Sequence, residues 1–111
     1  MKILVSLLLA FAIGIPSCSN AADLVVGSIS CKEWLEDKAS PSSYMNQHVD
    51  QSWVIGFLSG YSSITSIDFL ANVNTQSIFV WMDNYCTSHP SKRIDDGALV
   101  LAHELIQKMD K

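Results

Sequence analysis

Basic residues are scarce in this chain: seven Lys and Arg stand against eleven Asp and Glu among 111 residues. Lys92-Arg93 is the one adjacent basic pair. That leaves no cationic footprint of the kind nucleic acid demands, and no nucleic-acid partner is expected. Also missing are both Gly-rich phosphate loops and a Gly-x-Ser-x-Gly elbow around any of Ser59, Ser62, Ser63 or Ser66. His103-Glu104 lacks the second His that a zinc-protease helix carries four residues on, and His48, His89 and His103 fall in three separate segments. Asp68, Asp83, Asp95 and Asp96 read as caps and solvated face residues. No catalytic residue, metal or cofactor is expected, and the chain does not read as an enzyme.

Long hydrophobic runs are missing too. The longest, Ile3 to Ile15, is uncharged but falls short of the ~20 residues a membrane-spanning helix needs. No membrane span is expected. Lys2 precedes the run, Pro16 ends it, and Ser19-Asn20-Ala21 supplies small residues where a signal peptidase cuts, so residues 1–21 read as a cleaved signal peptide. Ile15-Pro16-Ser17-Cys18 also permits a lipoprotein reading, with Cys18 lipidated and the protein anchored to the outer membrane. Either route takes the chain to the periplasm. With Cys18 spent, Cys31 and Cys86 remain as an even pair in an oxidising compartment, where a disulfide is the default. Residues 22–111 then form one small helical domain with six basic and eleven acidic side chains, a net charge of −5.

Within that domain, residues 22–29 read as a loose or extended lead-in. Ser30 with Glu33 makes a capping box for a first helix over 30–39, which Ser40-Pro41 should end. A second helix over 44–62 carries Val49, Trp53, Phe57 and Tyr61 at intervals of four, with Val54, Ile55 and Leu58 beside them. It is apolar nearly all round and should be the buried centre. Gly56 and Gly60, one turn apart on it, suggest close approach of another helix. After a long connection over 62–75, Thr75 should cap a third helix, 76–88, with Ile78, Trp81, Met82 and Tyr85 on one stripe and Cys86 at its inner edge. The fourth helix, 94–108, has Asp95 and Asp96 at its positive end and an inward stripe of Ile94, Ala98, Leu101, Leu105 and Met109. The expected fold is all-α: a small four-helix domain stapled by one disulfide.

Twelve aromatic and methionine side chains in residues 22–111 are many for so short a chain. Most must be core, but if the domain loosens they become an apolar surface able to hold other chains. Trp53, Phe57 and Trp81 are the candidate client- or partner-binding residues. The order of features narrows the choice. Cys31-Lys-Glu-Trp-Leu35 opens the first helix, Trp53-x-x-Gly56-x-x-x-Gly60-Tyr61 lies in the central one, and Tyr85-Cys86-x-x-His89-Pro90 precedes the last. Together these resemble the small periplasmic acid-stress chaperones of the HdeA/HdeB type, over roughly Cys31 to Lys108.

The resemblance implies a disulfide-locked four-helix fold that forms a homodimer near neutral pH. In acid it implies dissociation, partial unfolding and binding of unfolding periplasmic clients. The residues are compatible: acid neutralises eleven carboxylates and leaves nine cationic side chains, counting three His, so the charge moves from −5 to about +9. The Ser-rich, weakly charged 62–75 connection departs from that family. The competing expectation is a periplasmic immunity protein that binds and neutralises one secreted toxin at neutral pH. A third is an accessory protein of an envelope assembly.

Overall fold

In the computed structural model, which describes residues 25–111 together with Gly14, the chain forms helices α1 (Cys31–Ala39), α2 (Tyr44–Thr65), α3 (Thr75–Ser88) and α4 (Ile94–Met109), with a single 3-10 turn at Pro41–Ser43. The rest of the expected signal peptide, including Cys18, lies outside the described residues. The fold is all-α: the one extended pairing among the described residues is an isolated antiparallel bridge between Ser30 and Arg93. No helix among the described residues is long and apolar enough to cross a membrane.

Local chemistry explains the boundaries of α1. The Ser30 hydroxyl accepts from the Glu33 amide at 3.1 Å while Glu33 accepts from the Ser30 amide at 3.2 Å, the expected capping box. Ser40, which precedes Pro41, is extended and ends the helix. The cap of α3 differs from expectation. Asn74, not Thr75, is the N-cap, its side-chain oxygen accepting from the Gln76 amide at 2.7 Å. Helix α2 runs one turn beyond the expected end at 62, and Ser66 closes it in the left-handed conformation at φ 57°. The connection that follows is anchored, because Phe69 is buried and meets Tyr61 edge-on at 6.2 Å.

The core is built where all four helices meet. Val54 and Leu58 from α2, Ile78, Met82 and Cys86 from α3, and Ile94, Ala98, Leu101 and Ala102 from α4 are buried with Cys31 and Trp34 of α1. The inward stripes of α3 and α4 are thus largely as read, except that Met109 is 52% exposed at the chain end. Helix α2 presents a different face from the one expected. Its buried row is Asp50, Val54 and Leu58, whereas Val49 is 64% exposed and Trp53, Phe57 and Tyr61 are half-buried flanks.

The glycines are corrected in the same way. A Cβ at Gly56 or Gly60 would meet nothing within 4 Å, so no helix approaches them. The close approach is at Gly97, where a Cβ would sit 2.7 Å from Tyr85 Cδ1 and 3.0 Å from the Met82 methyl. That absent side chain lets α4 lie against α3.

The lead-in is docked. Cys31 N donates to Lys92 O at 2.9 Å and Ile94 N to Ile29 O at 3.0 Å, and the Arg93 guanidinium donates to Ser28 O. Ser28 Oγ in turn donates to Asp95.

Candidate functional site

Cys31 and Cys86 form the disulfide, joining the start of α1 to the last turn of α3. The same interface continues along α1. Trp34 Nε1 donates to Asp83 Oδ1 at 2.8 Å, and the Lys38 ammonium lies 2.5 Å from Asp83 Oδ2. Asp83 is therefore no solvated surface acid as read from sequence; it accepts from two side chains of the facing helix. Its partner Lys38 is half exposed, so the salt bridge adds less than the geometry suggests.

Where α1, α2 and α3 diverge beyond this contact, a cleft of about 280 Å³ opens. Trp34 and Lys38 of α1, Asp50 and Gln51 of α2, and Phe79 and Asp83 of α3 line it. Asp50 is only 7% exposed, and its Oδ2 has no hydrogen-bond partner among the described residues. The group facing it is the Asp37 carboxyl, which can serve as partner only if one of the two acids carries a proton. Burial, this contact and the negative charges of Asp37 and Glu33 push the Asp50 carboxyl from its ordinary value of 3.8 up to about 7. Asp50 was missed in the sequence. The available signal was its spacing, since it precedes Val54 and Leu58 by four and eight residues on the row that turns inward.

The three apolar site residues do not share one surface. Trp53 stacks on Phe57 at 5.3 Å and donates to Val26 O at 3.0 Å. Gly27, at φ 81°, makes room for this indole: a Cβ there would sit 2.8 Å from its Nε1. Trp81 belongs to a second stack. Its ring lies 5.4 Å from Tyr85, Tyr85 lies 4.4 Å from His89, and Trp81 Nε1 donates to Glu104 of α4 at 3.0 Å. A groove of about 540 Å³ runs beside this stack, with Lys92 and Glu104 at its edges. Burial, then Asp96 and Asp95, raise the Tyr85 phenol.

The histidines remain apart. His48 packs edge-on against Tyr44, His89 bonds to Tyr85 O, and His103 Nε2 shares a 3.1 Å hydrogen bond with Tyr61 across α2 and α4. Among the described residues no three His, Cys, Asp or Glu side chains are grouped to hold a metal ion. Comparisons with protein-family models, with curated proteins and with solved structures find no match to this chain.

Proposed function

We propose that this is an exported, periplasmic chaperone of acid stress, which opens at low pH and keeps unfolding proteins from aggregating. The observation that carries the reading is the position of its carboxylates. Two of the three indoles are tethered to a carboxylate across a helix junction, Trp34 to Asp83 and Trp81 to Glu104. Asp95 ties the lead-in to α4, and Asp96 accepts from the Arg93 amide at 3.0 Å to cap that helix. Hydrogen bonds to an ionised acceptor are about twice as strong as neutral ones, so acid weakens these junctions together. The accompanying swing to a large positive charge adds self-repulsion.

The disulfide does not titrate and keeps α1 on α3. The Asp50 carboxyl works in the opposite sense to the other acids, because protonation removes a buried charge and favours the contact of α1 with α2. Loosening therefore falls on α4 and the lead-in. Detachment of α4 uncovers Met82, Tyr85 and Trp81, an apolar surface suited to extended, unfolding chains. Titration of the disulfide-intact protein from about pH 7 to about pH 2.5, followed by apolar-dye binding and tryptophan emission, tests this. Dye binding and red-shifted emission that appear together at low pH, with helical signal retained, are expected. An unchanged spectrum and no dye binding in acid would remove the basis of the proposal.

A further inference from the structure

We propose that the Trp53 indole and the Arg93 guanidinium form a docking track for a short, glycine-bearing segment of another polypeptide, which the chain's own residues 25–28 occupy as a placeholder. The inference rests on the chaperone reading for its occupant, an unfolding client chain, while the track is tested at neutral pH, apart from any response to acid. Trp53 stacks on Phe57 at 5.3 Å, and both are half-buried. This pair stands apart from the Trp81 stack of α3.

The placeholder shows what the track recognises. Trp53 Nε1 donates to Val26 O at 3.0 Å and the Arg93 guanidinium donates to Ser28 O, so both grips take backbone carbonyls. Asp95 Oδ1 lies 3.6 Å from Arg93 Nε and steadies the second grip. Every residue carries such a carbonyl, and main-chain grips hold peptides with little regard to sequence. The Val26 side chain is 87% exposed and is not read. One position is selective. Gly27 sits against the indole at φ 81°, where a Cβ would lie 2.8 Å from Trp53 Nε1. Glycine alone combines that conformation with that approach at no steric cost.

Residues 25–28 can leave while the rest of the fold stays. Ser30 caps α1 and Cys31 is bonded to Cys86, so the chain is fixed from there on. Ile29 is held as well, because Ile94 N donates to its carbonyl at 3.0 Å. The preceding residues form a turn, with Ser28 N donating to Val25 O at 3.1 Å, and meet the body through Trp53, Arg93 and Asp95. Loss of those side-chain contacts swings the turn away on Ile29 and bares Trp53 beside Phe57. A second copy of this chain is the poorer occupant. Exchanging identical turns adds no contact, and two chains of the same net charge repel.

The test is fluorescence anisotropy at about pH 7 of a labelled, capped peptide, Lys-Val-Val-Gly-Ser-Ile-Lys, which copies residues 25–29 between two solubilising lysines. It is titrated with the full disulfide-bonded chain and with its Gly27→Val variant, whose new side chain expels the turn from the indole. A tethered segment competes at an effective concentration on the order of mM, so the parent should bind the peptide at least about tenfold more weakly than the variant. Saturable binding by the variant at about 1 mM or tighter is expected, weakened about tenfold when valine replaces the glycine of the peptide. The nuclear magnetic resonance signal of the Trp53 indole N–H should shift in the variant and shift again with peptide. Ser28→Ala removes only the contact with Asp95 and should fall between parent and variant; it carries the test if circular dichroism shows Gly27→Val unfolded. An unrelated apolar peptide with a central glycine separates the occupants. Binding within about tenfold of the copy is expected, whereas binding of the copy alone would overturn the client assignment in favour of a second copy of this chain. No gain of binding in either variant, or a gain that leaves the Trp53 signal unmoved, would overturn the track itself. Apolar-dye binding in acid bears on the chaperone reading alone, so the two can fail separately.

Discussion

Replacing Asp50 with Asn should stabilise the protein at mildly alkaline pH and flatten its dependence on pH. The side chain is 7% exposed and its carboxyl is raised from 3.8 to about 7, first by burial and then by Asp37 and Glu33. An acid whose folded value lies above its unfolded one holds more protons when folded. Its contribution to stability is whole below the unfolded value of 3.8, shrinks as the pH rises, and is gone once the pH passes about 7. At about 1.4 kcal/mol per pH unit the interval amounts to about 4 kcal/mol for a dry site, and solvent reaching the open cleft screens this to about 2 kcal/mol. The amide in Asp50→Asn carries no charge and can donate to Asp37, so the penalty vanishes. Urea denaturation at about pH 8 should show the variant more stable by about 2 kcal/mol, and at about pH 4.5 the two proteins should differ by less than about 1 kcal/mol. An Asn variant that is less stable than the parent at both pH values would refute the reasoning. So would one that keeps the parent's slope, because the proton would then reside elsewhere.

Other substitutions probe the packing. Cys31→Ser with Cys86→Ser opens a crosslink spanning 55 residues of sequence, and loop entropy puts the loss at about 4 kcal/mol, measurable as a lower urea midpoint that reductant no longer changes. Gly97→Ala drives a methyl to within 2.7 Å of the Tyr85 ring; thermal unfolding should show a loss of about 1–3 kcal/mol. Gly56→Ala and Gly60→Ala meet open space, and each should stabilise α2 by about 0.5–1 kcal/mol in the same assay. Trp34→Phe keeps the ring but leaves Asp83 one donor short, and should cost about 1–2 kcal/mol in urea titrations near neutral pH.

The differences between sequence and structure have physical causes. Helix ends are local events, and Ser30 with Glu33, Ser40 before Pro41, and His89-Pro90 are legible without tertiary information. The disulfide follows from parity once a compartment is assumed. The phase of α2 is different in kind. With apolar or small side chains nearly all round, the helix has no single face that periodicity can select, and the aromatic row of Trp53, Phe57 and Tyr61 outweighs Val54 and Leu58 by size alone. Packing reverses the order: the smaller side chains go inside, the aromatics become flanks, and Asp50 is carried inward on the row it shares with them. Gly97 was equally legible in position, lying in the stripe with Ile94, Ala98 and Leu101, but Gly56-x-x-x-Gly60 resembled a packing motif more closely. The junctions of Trp34 with Asp83 and Trp81 with Glu104 span 49 and 23 residues and become visible only when the helices are assembled.

The central claim is tested most directly by aggregation of a client protein. Purified protein with its disulfide intact is mixed with an acid-labile periplasmic protein, and light scattering is followed at about pH 2.5 and about pH 7, on either side of carboxylate titration. The account predicts suppression at the lower pH alone, dependent on the amount of protein added. Aggregation that proceeds at pH 2.5 as it does without the protein would contradict it, and would turn attention to a single partner bound at neutral pH.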